Sequence, residues 1–66
     1  MEVIINGTKK EVKEGITIKE LLQEMEIPAI GIAVELNREI IPRSRHESLV
    51  LKANDSLEIV KMVGGG

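Results

Sequence analysis

Hydrophobic positions change period along this chain. Val3, Ile4 and Ile5 form a short β-branched run, which predicts a strand. Asn6-Gly7 follows, and both residue types tolerate the positive φ of a tight hairpin. The return run, KKEVKEG, has Val12 as its only large aliphatic residue. It reads as an edge strand whose lysines and glutamates discourage pairing with other chains. The period then lengthens. Ile18, Leu21, Leu22 and Met25 recur at i, i+3, i+4 and i+7, which predicts one amphipathic helix. Thr17 and Glu20 have the spacing of a capping box. Pro28 is expected to stop the helix, because the residue before a proline disfavours helical backbone.

Alternation returns at Ile32, Val34 and Leu36, with Ala33 and Glu35 on the opposite side. REIIP is a second short extended run, with Asn37-Arg38 as the connecting turn and Pro42 closing it. RSRHES is polar and reads as a loop or a single helical turn. LVLKAND leads into a turn at Asn54-Asp55, and SLEIVKMV is the last strand. The order β-β-α-β-β-β gives one helix to cover one face of one sheet, an α+β class. The compact solution is a β-grasp: a mixed five-stranded sheet, the first and last strands parallel at its centre, one main helix on one face.

That arrangement sorts the side chains. Met1, Val3, Ile5, Ile32, Val34, Leu36, Leu57 and Ile59 are expected to face the helix. Glu2, Ile4, Ala33, Glu35, Glu58, Val60 and Met62 are expected to face away. The apolar members of this second face are Ile4, Ala33, Val60 and Met62. If contiguous, they form a patch that can dock a partner; if scattered, they are ordinary surface.

Composition narrows the picture. Sixty-six residues make one small domain, and with no aromatic residue its core must be aliphatic. No cysteine is present, so no disulfide forms and no thiol of this chain can carry sulfur. The net charge of -2 is interspersed and argues against a nucleic-acid binder driven by counterion release. No signal peptide or membrane-length apolar run is visible, and the reading is of a soluble cytoplasmic protein. No P-loop, CxxC or nucleophile–base pair stands out. His46, in a polar segment without a second ligand type nearby, reads as a solvated histidine with no metal role. Arg38, Arg43 and Arg45 are either a steering patch or a solvated face. Glu20, Glu24 and Glu26 read as the outer side of the helix.

The chain finishes KMVGGG. Taken alone, terminal glycines are as compatible with a dispensable end as with a working one. GITIKELL, the A-V-x-L-N-x-x-x-x-P-R stretch within Ile32–Ser44, and LKANDSLEIVKMVGGG change that balance. Together they resemble the sulfur carrier proteins of thiamine biosynthesis, the ThiS family, from Met1 to Gly66. The family's Gly-Gly ending falls on Gly65 and Gly66.

The resemblance implies a protein cosubstrate, not an enzyme. A ThiF-like enzyme would use ATP and magnesium to adenylate the Gly66 carboxylate; this chain itself is expected to bind no cofactor. A cysteine desulfurase or another sulfur donor would then yield a thiocarboxylate. Thiazole synthase, ThiG, would receive the sulfur. Residues 1–63 would be the β-grasp domain and 64–66 a flexible tail. Gly64, Gly65 and Gly66 lack a Cβ, so this end can pass close to the walls of a partner's site. Partner contacts would fall on Gly64, Gly65, Ile4, Ala33, Val60 and Met62. Two alternatives remain: a molybdopterin-synthase small subunit or another ubiquitin-like sulfur carrier or modifier, and a TGS-like regulatory or RNA-binding module.

Overall fold

Five strands form one mixed sheet in the order β2-β1-β5-β3-β4 in the computed structural model, which describes residues 1–62. The strands are β1 (Glu2–Ile5), β2 (Thr8–Glu11), β3 (Ile32–Leu36), β4 (Glu39–Ile41) and β5 (Ser56–Lys61), with helix α1 (Ile18–Glu24) between β2 and β3. As expected from the element order, β1 and β5 run parallel at the centre. A 3-10 turn at Arg43–Arg45 occupies the polar segment after β4. The expected division between residues 63 and 64 lies outside the described residues.

Both tight hairpins follow from their turn residues. Asn6 and Gly7 take φ of 50° and 83°, and Asn37 and Arg38 take 50° and 72°. These left-handed pairs match the twist of the flanking strands. They set the registers Ile5↔Thr8 and Leu36↔Glu39. The third turn is centred one residue earlier than its sequence suggested, on Ala53-Asn54. Asn54 has φ 70°, and Asp55 accepts from the Lys52 amide at 2.7 Å.

Helix α1 begins as its sequence predicts. The Thr17 hydroxyl accepts from Glu20 N at 3.1 Å, and Glu20 Oε1 accepts from Thr17 N at 3.0 Å. Its end differs: the helix stops at Met25, before Pro28 can act. Glu26 turns left-handed at φ 56°, Glu26 N donates to Gln23 O, and Ile27 N donates to Leu22 O. This is a Schellman cap with glutamate where glycine is usual. Ile27 then folds back onto the core beside Leu22.

The core is aliphatic, and the expected inward set holds. Val3, Ile5, Ile32, Val34 and Leu57 are buried; Met1, Leu36 and Ile59 pack at its edge. Val12, Ile16, Ile18, Leu21, Leu22, Ile41 and Leu51 complete it. Ile16 and Leu51 enter from irregular segments tied by the Thr17↔Val50 bridge and by Leu51 N donating to Ile16 O at 2.9 Å.

Candidate functional site

The sheet face turned away from α1 has no covering element among the described residues, and its registers fix what lies beside what. Val60 is directly opposite Ala33, and Glu58 is directly opposite Glu35. Ile40 sits across from Glu35 on the edge strand β4. Met62 N donates to Gly31 O at 2.8 Å, so β5 leaves the sheet beside the loop that carries Ile30. Ile30, Ile40, Val60 and Met62 are 73%, 69%, 47% and 58% exposed. Ile40, Val60 and Met62 form an apolar strip with Ala33, interrupted by the two glutamates, and Ile30 is exposed in the adjoining loop.

Three of the four outward apolar residues expected to dock a partner, Ala33, Val60 and Met62, therefore come together. Ile4 does not join them. The parallel register pairs Ile4 with Ser56, four residues before Val60, about 13 Å along β5. Lys9 stands on its other side. Alternation assigned Ile4 to the correct face, but only strand register decides position within it. Ile40 was the missed member. Its signal was the adjacent pair Ile40-Ile41: in a strand one of the two must point outward, and Ile41 is buried. Gly64, Gly65 and Gly66 lie outside the described residues.

Beside the strip, Glu35, Asn37, Arg38, Ser56 and Glu58 line a shallow depression of about 530 Å³. Two like charges directly opposite each other destabilise an antiparallel pair. Neither Glu35 nor Glu58 has an ion-pair partner among the described residues. The other facing glutamates, Glu2 and Glu11, differ in this respect, because Glu11 meets the Met1 ammonium at 3.3 Å.

A second concavity, about 650 Å³, lies on the helical side between α1 and the 3-10 turn. Leu22, Ile27, Pro28 and Ala29 give it apolar walls, and Lys19, Arg43 and His46 polar ones. His46 is 5% exposed, which overturns its reading as a solvated loop residue. Its Nε2 lies 3.2 Å from Ile41 O, so that nitrogen carries the proton and donates. Nδ1 is buried without a hydrogen-bond partner among the described residues. The backbone closes the ring in, because Lys19 N donates to His46 O at 2.9 Å and ties the 3-10 turn to α1. Among the described residues, no group of three or more His, Asp or Glu side chains is placed to hold a metal. No described helix is long and apolar enough to cross a membrane.

Sheet order, the parallel central pair and the single helix on one face define a ubiquitin-like β-grasp protein. The family model for the ThiS family matches residues 3–66, and the chain belongs to that family. The crystal structure of the thiamine biosynthesis protein ThiS from Geobacter metallireducens is similar at a TM-score of 0.87, with 29% identity and all of both chains covered. The sulfur carrier protein ThiS of Thermus thermophilus is 36% identical over 64 residues, covering 97% of this chain and 98% of that one. A thiazole synthase of Paramagnetospirillum magneticum is also 36% identical, over all 66 residues, but this chain spans only 20% of its length. A thiazole synthase of Magnetococcus marinus shows the same coverage at 30% identity.

Proposed function

We propose that this chain is the sulfur carrier of thiamine biosynthesis and that its reacting group is the carboxylate of Gly66. A carboxylate is a poor electrophile. Adenylation by a ThiF-like enzyme, with ATP and magnesium, installs AMP as a leaving group and releases pyrophosphate. A hydrosulfide-equivalent nucleophile from a cysteine desulfurase or similar donor displaces AMP and leaves a thiocarboxylate. Thiazole synthase then takes the sulfur. The chain is a cosubstrate in each step, and the catalytic groups belong to its partners.

Family membership carries this reading, and the architecture supports it. Strand β5 is central, held by β1 on one side and β3 on the other. It runs to Lys61 beside the apolar strip. Gly66 is four residues beyond Met62, so the two Cα atoms can be at most about 14 Å apart, with the carboxylate just beyond. A partner seated on Ala33, Val60 and Met62 is within that range. Gly64 and Gly65 complete the segment that would enter the partner's site.

The test is intact mass after incubation with ATP, the activating enzyme and a sulfur donor from the same organism. A gain matching replacement of one oxygen by sulfur, mapped to Gly66, is expected. An unchanged mass with a demonstrably active enzyme would sink the carrier reading. One extra residue after Gly66 should abolish the gain, because the reacting carboxylate is displaced.

A further inference from the structure

The cavity between α1 and the 3-10 turn has no task in sulfur transfer, and its walls are of two kinds. Leu22, Ile27, Pro28 and Ala29 make an apolar side. Lys19 and Arg43 bring two positive charges to the rim, against the one carboxylate of Glu47. Glu47 meets Lys19 at 3.6 Å, and Arg43 has no ion-pair partner among the described residues. One positive charge is therefore left in excess, on an exposed guanidinium at the start of the turn. The ring of His46 lines the same cavity, and its Nδ1 is the one buried side-chain nitrogen or oxygen among the described residues without a hydrogen-bond partner. Unfilled acceptors of this kind are rare in folded proteins. Backbone bonds hold the walls in place: Lys19 N donates to His46 O at 2.9 Å, Ile18 N to Leu49 O at 3.2 Å, and Ile27 N to Leu22 O at 2.9 Å.

We propose that this cavity binds a small organic carboxylate with an apolar body. The carboxylate sits on Arg43, whose planar guanidinium can take both oxygens at once. The apolar body lies against Leu22, Ile27, Pro28 and Ala29. A volume of about 650 Å³ is in the range of small-molecule sites, and an apolar wall with a few convergent polar groups is their usual composition. The single excess positive charge matches a carboxylate better than a doubly charged phosphate ester. The inference goes beyond the carrier reading and does not depend on it, since no residue of this cavity belongs to the strip beside β5 or to the glycine end.

The test is a titration of the isotope-labelled full chain with naphthoate and with octanoate, one flat and one flexible apolar body, followed by NMR. At least one of them is expected to bind with a dissociation constant of about 1 mM or below. The signals of Leu22, Ile27, Ala29 and the His46 ring should move together. Naphthamide and octanamide keep the shape without the charge and should bind at least about tenfold more weakly. Arg43→Gln should remove the advantage of carboxylate over amide. Arg45→Gln makes the same charge change in the same turn, at a residue that does not line the cavity, and should bind as wild type. Both arginines are exposed, so neither substitution disturbs the core. The proposal is overturned if neither carboxylate binds below about 10 mM, or if amide and carboxylate bind equally. Equal losses in the two arginine variants overturn it as well, as does tighter binding of naphthyl phosphate than of naphthoate. So does a wild-type dimer in sedimentation that Arg43→Gln dissociates, which would give the cavity to a second copy of the chain. Thiocarboxylate formation is scored separately and bears only on the carrier reading.

Discussion

Asn6 grips both polar groups of Ile59: its Oδ1 accepts from Ile59 N at 2.7 Å, and its Nδ2 donates to Ile59 O at 3.1 Å. Strand β1 has ended at Ile5, so the side chain continues the ladder to β5 where backbone no longer can. Asn37 does related work on the other side of β5. Its Oδ1 accepts from Ser56 N at 3.0 Å, and its Nδ2 donates to Asp55 Oδ1 at 3.1 Å. Each asparagine also holds the left-handed backbone of its hairpin, with φ of 50°.

These two tasks can be separated. Asn6→Ala should lose about 2–3 kcal/mol, combining two hydrogen bonds with left-handed strain on a Cβ residue. Asn6→Gly should lose only the hydrogen-bond part, about 1–2 kcal/mol. Urea unfolding measures both. Equal losses would remove backbone strain from the explanation, and a neutral glycine variant would remove the clamp.

Glu26 occupies a position where glycine is normally favoured. Glu26→Gly should stabilise the fold by about 0.5–1 kcal/mol, since the left-handed conformation then carries no Cβ penalty. A lowered urea midpoint would show that the glutamate side chain makes up for its backbone.

The capping box carries a pH signature. Hydrogen bonding from the Thr17 backbone, followed by the charge of Lys13, holds the Glu20 carboxyl below its ordinary value of 4.5. Its folded-state value is depressed, so its stabilising contribution is present above about 4.5 and is lost as pH falls below that. The stability gap between wild type and Glu20→Gln should be open at neutral pH and close in acid. A gap constant from pH 7 to about 3 would refute this account. Thr17→Ala should cost about 1 kcal/mol by removing the reciprocal partner.

His46 should behave as a core residue. His46→Ala removes a buried ring and its bond to Ile41 O, and should cost about 2–4 kcal/mol. A loss under about 0.5 kcal/mol, the range of an ordinary surface substitution, would contradict its burial.

Much of this architecture was legible in local patterns, because those patterns have local causes. The helix start is a reciprocal hydrogen-bond motif four residues long, and the hairpins need residues that tolerate positive φ. The two strand faces follow from alternation. What was not legible depends on partners distant in the chain. His46 looked solvated because its neighbours in sequence are polar; its surroundings are Ile41 and α1, brought over it by the 3-10 turn. Ile4 looked like part of a patch because alternation carries no information on parallel register. The helix end was assigned to Pro28, the stronger breaker in sequence, but a Schellman turn on Glu26 acts earlier. For the candidate site, Ala33, Val60 and Met62 were readable and Ile40 was not singled out. The opposition of Glu35 and Glu58 needed the β3–β5 register.

The parallel pairing of β1 and β5 also has a mechanical consequence. The amino end of β1 and the carboxyl end of β5 point in opposite directions out of the same central pair. A pull on the segment beyond Met62, opposed at Met1, loads the β1–β5 bonds in shear, all together, instead of peeling them one at a time. The Asn6 grip on Ile59 lies in that line of force. A load applied beyond Met62 is therefore carried by the central pair as one unit, and the described domain resists it as a rigid handle.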